Sequence, residues 1–232
     1  MDFYEYFYRW NWTGHGKCNS RKFKKSGHNI FLCSRGELVI KLAKELKCNY
    51  ARCDIKDYNS LEIAINRAYN VLGGLDAVIN VSGNYFSQEP VESYDVKEFV
   101  DALENNAITF FNIIKASLNY LKESRGTAIG FSAAENVYLN SNPGYAAGKG
   151  AVYFMTKYLA HSLIQYGIRV NSIAPGFIDK ENNPNSGRAG ATGRYPPDGV
   201  LDAINMLLHN NMITGEVIRV AGGHDIDVGS GL

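Results

Sequence analysis

This chain has little of what marks the more specialised classes of protein. Its 232 residues include four cysteines, Cys18, Cys33, Cys48 and Cys53, and no two of them form a C-x-x-C pair. That spacing argues against structural zinc and against a disulfide framework, so no metal site is expected, and the cysteines are expected as reduced thiols in the cytoplasm. Charge of one sign is not in excess. Lys and Arg number 24 against 23 Asp and Glu, a formal net charge of +1. This leaves no electrostatic case for nucleic acid or an anionic membrane as partner. No apolar run approaches the roughly 20 residues that a membrane span requires. Met1-Asp-Phe-Tyr-Glu-Tyr-Phe7 carries acids where a secretory leader carries basic residues, so export is not expected. Internal repeats are also absent.

What the chain does have is alternation. Short apolar runs at 28–34, 50–53, 75–80, 127–132, 168–173 and 217–220 read as strands. Between them, 37–46, 60–72, 96–121, 144–166 and 198–208 read as helices, the third broken near Asn105-Asn106. In 60–72 the residues Leu61, Ile63, Ala64, Ile65 and Ala68 are expected to face inward. Near-continuous apolar strands alternating with helices argue for a parallel sheet covered on both faces. Right-handed crossovers then give an α/β, doubly wound, Rossmann-like sheet, and the length suits a single domain over 1–232. A loop at 179–197, rich in Asn, Gly, Arg and Pro, is the candidate substrate loop.

The residues that carry chemistry lie between 132 and 149. In Tyr145-Ala-Ala-Gly-Lys149 the phenol and the ammonium share one helix face, one turn apart. A free phenol, with a pKa of about 10, exchanges protons poorly at neutral pH. A fixed positive charge beside it favours the phenolate and makes it a usable acid or base. Ser132, 13 positions upstream at a strand end, can hold a substrate oxygen beside that phenol. Tyr153-Phe-Met-Thr-Lys157 has the same spacing but no such serine and no flanking small residues, so it reads as a snorkelling pair at the core edge.

With these landmarks the chain resembles a short-chain dehydrogenase/reductase, and within that family the 3-oxoacyl-carrier-protein reductases. The resemblance runs from about His28 to Gly223. It takes in Cys53-Asp54, Asn80-Val-Ser-Gly83, Asn106, Ser132, Tyr145, Lys149, Arg169-Val-Asn-Ser-Ile-Ala-Pro-Gly176 and Thr214-Gly-Glu-Val-Ile-Arg-Val-Ala-Gly-Gly223. It implies hydride transfer between a nicotinamide and a carbonyl carbon of a small-molecule or acyl substrate. Tyr145 is then the general acid, and Lys149 assists it and holds the nicotinamide ribose. Ser132 orients the carbonyl oxygen, Asn106 keeps a water in the proton relay, and Pro175 and Gly176 flank the nicotinamide. The resemblance also implies a homotetramer, paired through the helices near 107–121 and 145–166 across one two-fold axis.

The nucleotide half reads less simply. Ligands of open parallel sheets sit at the carboxyl ends of the strands. By resemblance Asp54 holds the adenine edge, while Asn80 and Gly83 line the nucleotide; the plainer reading of Asp54 is a turn cap. After the second strand, Ser34 and Arg35 stand where an acid would accept from a ribose 2′-hydroxyl. A forked cation there suits a 2′-phosphate, with Lys17 as a second charge, so NADP(H) is expected in preference to NAD(H). The plainer reading is a solvated arginine. Thr13-Gly14-His15-Gly16-Lys17-Cys18-Asn19-Ser20, set against Thr-Gly-x-x-x-Gly-x-Gly, keeps Gly14 but has Cys18 and Ser20 at glycine positions. In this reading the first strand spans 8–12, and the first helix, 21–25, is a turn short. An altered turn predicts weak cofactor binding. It also supports an alternative reading, a non-catalytic relative acting as a nucleotide sensor or scaffold.

Overall fold

A computed structural model describes residues 5–9, 15–83, 88–178 and 197–223, with backbone alone for 5–9 and 15–19. Among the described residues seven strands run parallel in the order β3-β2-β1-β4-β5-β6-β7. They are β1 (Glu5–Arg9), β2 (Asn29–Ser34), β3 (Asn49–Arg52), β4 (Ala77–Asn80), β5 (Thr127–Phe131), β6 (Arg169–Pro175) and β7 (Val217–Val220). From β1 the chain builds outward through β2 and β3, then returns to β4 and builds the other way. The reversal between β1 and β4 opens a crevice at their carboxyl ends, where ligands of such sheets bind.

Both faces of the sheet are covered, which is why β4 and β5 are buried at every position. On one face lie α3 (Tyr58–Leu72), α5 (Thr109–Ser124) and α7 (Pro143–Leu163), packing Leu61, Ile65, Phe110, Ile113, Val152 and Leu159 against Phe31, Val78 and Val170. On the other lie α1 (His15–Lys25), α2 (Leu38–Leu46) and α8 (Asp198–His209), with Phe23, Val39, Leu42, Ile204 and Leu207 against Leu32, Ile79 and Ile173. The apolar stripe of α3 is Leu61, Ala64, Ile65 and Ala68; Ile63 points away and is exposed, contrary to the expectation from sequence. At about 100° per residue it falls on the far side of the helix from Leu61.

Two expectations near the amino end also change. The first strand is Glu5–Arg9, three residues earlier than 8–12, and α1 opens at His15, six residues earlier than 21–25. The helix is therefore of full length. The break expected at Asn105-Asn106 is a π turn, Glu104–Ile108, joining α4 (Val96–Leu103) to α5. No helix among the described residues is long and apolar enough to cross a membrane.

Candidate active site

The carboxyl ends of β4 and β5 and the first turns of α7 enclose a buried polar cluster. Asn142 caps α7, its side-chain oxygen accepting from the Tyr145 amide at 2.8 Å, and Pro143 occupies the first turn, where no amide hydrogen is needed. This start fixes the helix phase, so Tyr145 and Lys149 both face inward, 7% and 4% exposed, with the ammonium 5.7 Å from the phenol ring centroid. Tyr153, by contrast, is 39% exposed on the outer side of the same helix.

A buried ammonium must be hydrogen-bonded. Lys149 Nζ donates to the Phe131 carbonyl at 2.8 Å and to the Ser82 carbonyl at 3.3 Å, tying α7 to the ends of β5 and β4. Ser132, the residue after β5, is buried; its hydroxyl donates to the Lys149 carbonyl at 3.3 Å and its amide to Ile173 O at 2.9 Å.

The π turn aims Asn106 at the same place. Its Nδ2 donates to Ala102 O at 2.8 Å, while its Oδ1 is buried with no hydrogen-bond partner. Gly83 closes the gap. It has φ +128°, and a Cβ there would strike Asn106 Oδ1 and lie 2.7 Å from Lys149 Nζ. Glycine is required twice over, by conformation and by space. Asn106, Gly83 and Lys149 thus meet in one spot, and Ser132 and Tyr145 line its margin through Lys149 and α7. Ala133, Val137 and Tyr145 form a small apolar wall with Tyr138 and Phe177.

Asn80 acts on its own turn. Its side-chain oxygen accepts from the Ser82 amide at 3.0 Å and from the Ser82 hydroxyl, and that hydroxyl lies 3.0 Å from Thr109 Oγ1. Its side chain therefore shapes the backbone of 80–83. Pro175 and Gly176 end β6 alongside. The Pro175 carbonyl accepts from Ala134 N at 3.0 Å, and Gly176 N donates to Val220 O at 2.9 Å.

The other sequence-derived residues gather some strands away, at the ends of β2 and β3. Ser34 is half-buried and Arg35 exposed. The Arg35 guanidinium lies 3.7 Å from the Asp54 carboxylate, and Asp54 also accepts from Lys56 N at 3.1 Å, the turn-capping bond. Arg52 was not singled out from the sequence. It is the register partner of Ser34 across β2 and β3, and a strand-end arginine gains that meaning only once the register is known.

Gly14, the side chain of Lys17 and the loop 179–196 lie outside the described residues. The bounds of β1 and α1 still correct the reading of the first turn. A Thr-Gly-x-x-x-Gly-x-Gly turn joins the end of a strand to the start of a helix. The strand ends at Arg9, which pairs with Asn80 of β4, and the helix opens at His15. Counted along the sequence from the strand end, an eight-residue pattern spans 9–16, and Gly14 and Gly16 fall at two of its three glycine positions. Cys18 lies inside α1, and Ser20, fully buried in the same helix, packs in the interior; neither belongs to the turn.

Comparisons with known proteins bear on the family and the fold. Residues 11–225 match the family described as enoyl-(acyl carrier protein) reductase. The L-fucose dehydrogenase of Oryctolagus cuniculus is 33% identical over 169 residues, 71% of this chain and 59% of that protein. Oxidoreductase UcpA of Salmonella typhimurium is 29% identical over 178 residues, covering 71% of this chain and 65% of UcpA. The matched part thus spans about three fifths of the length of the first of these relatives. Two solved structures share the fold. A variant of the actinorhodin polyketide ketoreductase with NADPH has a TM-score of 0.84 at 21% identity, over 96% of this chain and 98% of that one. ElxO with NADP bound has a TM-score of 0.83 at 21% identity, over 96% and 99%. The chain belongs to the short-chain dehydrogenase/reductase family.

Proposed function

We propose that this protein is an NADP(H)-dependent oxidoreductase that interconverts a ketone and a secondary alcohol, with a 3-oxoacyl compound as one candidate substrate. The observation that carries the reading is the buried cluster in which Asn106 and Lys149 meet at Gly83, with Ser132 bonded to the Lys149 carbonyl and Tyr145 beside the Lys149 ammonium. The residues present fit a bound dinucleotide. Gly83 lets Asn106 and Lys149 close in on the 80–83 backbone at the strand ends, Asn106 Oδ1 is buried without a partner, and arginines stand at the ends of β2 and β3.

The cofactor, when bound, supplies a hydride to the carbonyl carbon or takes one from the carbinol carbon. The chain's own residues handle the oxygen and its proton. Ser132 donates to the substrate oxygen and fixes its position. The Tyr145 phenol, beside the Lys149 charge, gives its proton to that oxygen as negative charge develops, and takes one back in the reverse direction. Lys149 would also hold the nicotinamide ribose, and Asn106 Oδ1 would hold a water that resupplies the proton. By their place in the sequence Gly14 and Lys17 would serve the pyrophosphate near the amino end of α1. Asp54 would meet the adenine, the 80–83 backbone would line the nucleotide, and Pro175 and Gly176 would flank the nicotinamide. Ser34 and Arg35 would hold the 2′-phosphate.

The non-catalytic alternative loses its main support, because Cys18 and Ser20 are helix residues and not substitutes in the turn. Phe154 and Tyr158 of α7, with Ile108 at the end of the π turn and Phe111 at the start of α5, are exposed apolar side chains that suit pairing of these helices in a homotetramer. The test is cofactor oxidation against a panel of ketones and 3-oxoacyl thioesters, with the reverse reaction on L-fucose, the sugar that names the relatives. Turnover with NADPH above NADH is expected. Failure of both cofactors to bind would overturn the reading.

A further inference from the structure

We infer that Arg52 is the second half of a guanidinium pair for the phosphomonoester on the adenosine ribose, and that Asp54 competes with this phosphate for Arg35. The inference rests on the dinucleotide reading above and assigns two residues that reading leaves without this role.

The geometry begins with the register. Ser34 ends β2 and Arg52 ends β3, and the two are direct partners in the parallel ladder, so their side chains leave the same face at the same height. The Cys53 amide donates to the Ser34 carbonyl at 3.1 Å, which carries the pairing one residue past the strand. Arg52 Nε then donates to the Arg35 carbonyl at 3.4 Å. That bond bends the Arg52 side chain across the turn after β2, toward the segment that carries Ser34 and Arg35. Two arginines and a hydroxyl are thereby gathered at one strand-end crevice. A phosphate dianion there would find two planar forks, each able to donate two parallel hydrogen bonds.

The present partners of the two guanidiniums are weak. Arg35 Nη1 is 3.7 Å from Asp54 Oδ2, and Arg52 Nη1 is 3.9 Å from Glu37 Oε1. Both distances exceed hydrogen-bond length, and all four side chains are well exposed, so these are ion pairs of little net worth. A phosphate replaces them at small cost. When it takes Arg35, the Asp54 carboxylate is released, at the position where the adenine edge is proposed to bind. Phosphate recognition and adenine recognition are thus linked through one carboxylate. A cofactor lacking the phosphate leaves Arg35 on Asp54 and meets an occupied acid.

The experiment is calorimetric binding of adenosine 2′,5′-bisphosphate and of adenosine 5′-monophosphate to the full chain, in the parent and in Arg35→Ala, Arg52→Ala and Asp54→Asn, with thermal melts to establish that each variant is folded. In the parent the bisphosphate binds the tighter. Arg52→Ala is expected to weaken the bisphosphate about 10-fold or more, the effect of a lost charge-assisted pair, and to leave the monophosphate unchanged. Asp54→Asn is expected to tighten the bisphosphate several-fold relative to the monophosphate. If the parent shows no preference and Arg35→Ala changes nothing, the NADP(H) reading fails and this inference with it. If Arg35→Ala abolishes the preference while Arg52→Ala keeps it, the reading stands and the role of Arg52 is refuted. An Asp54→Asn variant with an unchanged ratio refutes the competition.

Discussion

The two sides of the crevice hold their polar residues in different ways. Between β4, β5 and α7, the residues Asn106, Ser132, Tyr145 and Lys149 are buried, and Lys149 is bonded to carbonyls from two strand ends. At the ends of β2 and β3, Arg35 and Arg52 are exposed and Asp54 is half-buried, and the guanidiniums meet the carboxylates of Asp54 and Glu37 only at ion-pair distances beyond hydrogen bonding. The first group is set by the fold before any ligand arrives, which is the preorganisation that the proposed reaction calls for. The second group is held loosely, and a charged ligand can rearrange it cheaply. On the proposed function, position decides chemistry in the first and charge decides cofactor choice in the second.

If that contrast holds, the largest effect follows from removing one oxygen on the buried side. Tyr145→Phe keeps the ring packing and deletes the proton donor. Turnover should fall by about 10²- to 10⁴-fold, the usual worth of a general acid, while the melting temperature stays close to the parent's. Tyr153→Phe, on the exposed side of α7, should keep its turnover. Steady-state kinetics on both variants decides between the two tyrosines.

Gly83→Ala tests how firmly the buried side is set. The substitution imposes a positive φ on a residue with a Cβ and drives that atom into Asn106 and Lys149. Backbone strain alone costs about 1–3 kcal/mol, so denaturant melts should show a clear loss of stability together with lost activity. A Gly83→Ala variant as stable and active as the parent would show the cluster to be loosely packed.

On the nucleotide side, Cys18→Gly sharpens the reading of the first turn. Cys18 is a helix residue, so glycine there should lower stability by about 0.5–1 kcal/mol without improving cofactor affinity. Tighter NADPH binding by this variant would return Cys18 to the phosphate turn.

The smallest effect concerns pH. His28, just before β2, is buried near His209, and burial followed by the neighbouring imidazole lowers its pKa from the ordinary 6.5. In the unfolded chain His28 takes up its proton near that ordinary value, while the folded chain resists it. Above about pH 6.5 the group therefore adds no penalty, and as pH falls below that value the unfolded state is increasingly favoured. Denaturant melts between pH 5 and 7 should show stability falling toward acid, and His28→Leu should flatten the slope.

Most of the sheet was legible because buried parallel strands are almost wholly apolar and the helices between them are periodic. The interruption at Asn105-Asn106 was legible as well, as two poor helix formers in a long apolar pattern. The amino end was not. Glu5–Arg9 is polar and bulky for a strand, and the first turn of α1 offers no apolar period, so Thr13-Gly14 drew the alignment four residues too far along the chain. Pairing of Arg9 with Asn80 supplies the register that the sequence alone lacks. Arg52 was invisible for the same reason, since its meaning depends on standing opposite Ser34. The candidate residues Ser132, Tyr145 and Lys149 could be read because their spacing is local, a single helical turn plus one strand end.

The central claim is hydride transfer to a carbonyl with Tyr145 supplying the proton. It is tested most directly by incubating the protein with a ketone substrate and NADPH deuterated at both C4 positions, then locating the label by mass spectrometry. One deuterium is expected on the carbinol carbon of the product, and none formed at a comparable rate by Tyr145→Phe. Product carrying hydrogen from solvent at that carbon, or label transfer undiminished in Tyr145→Phe, would contradict it.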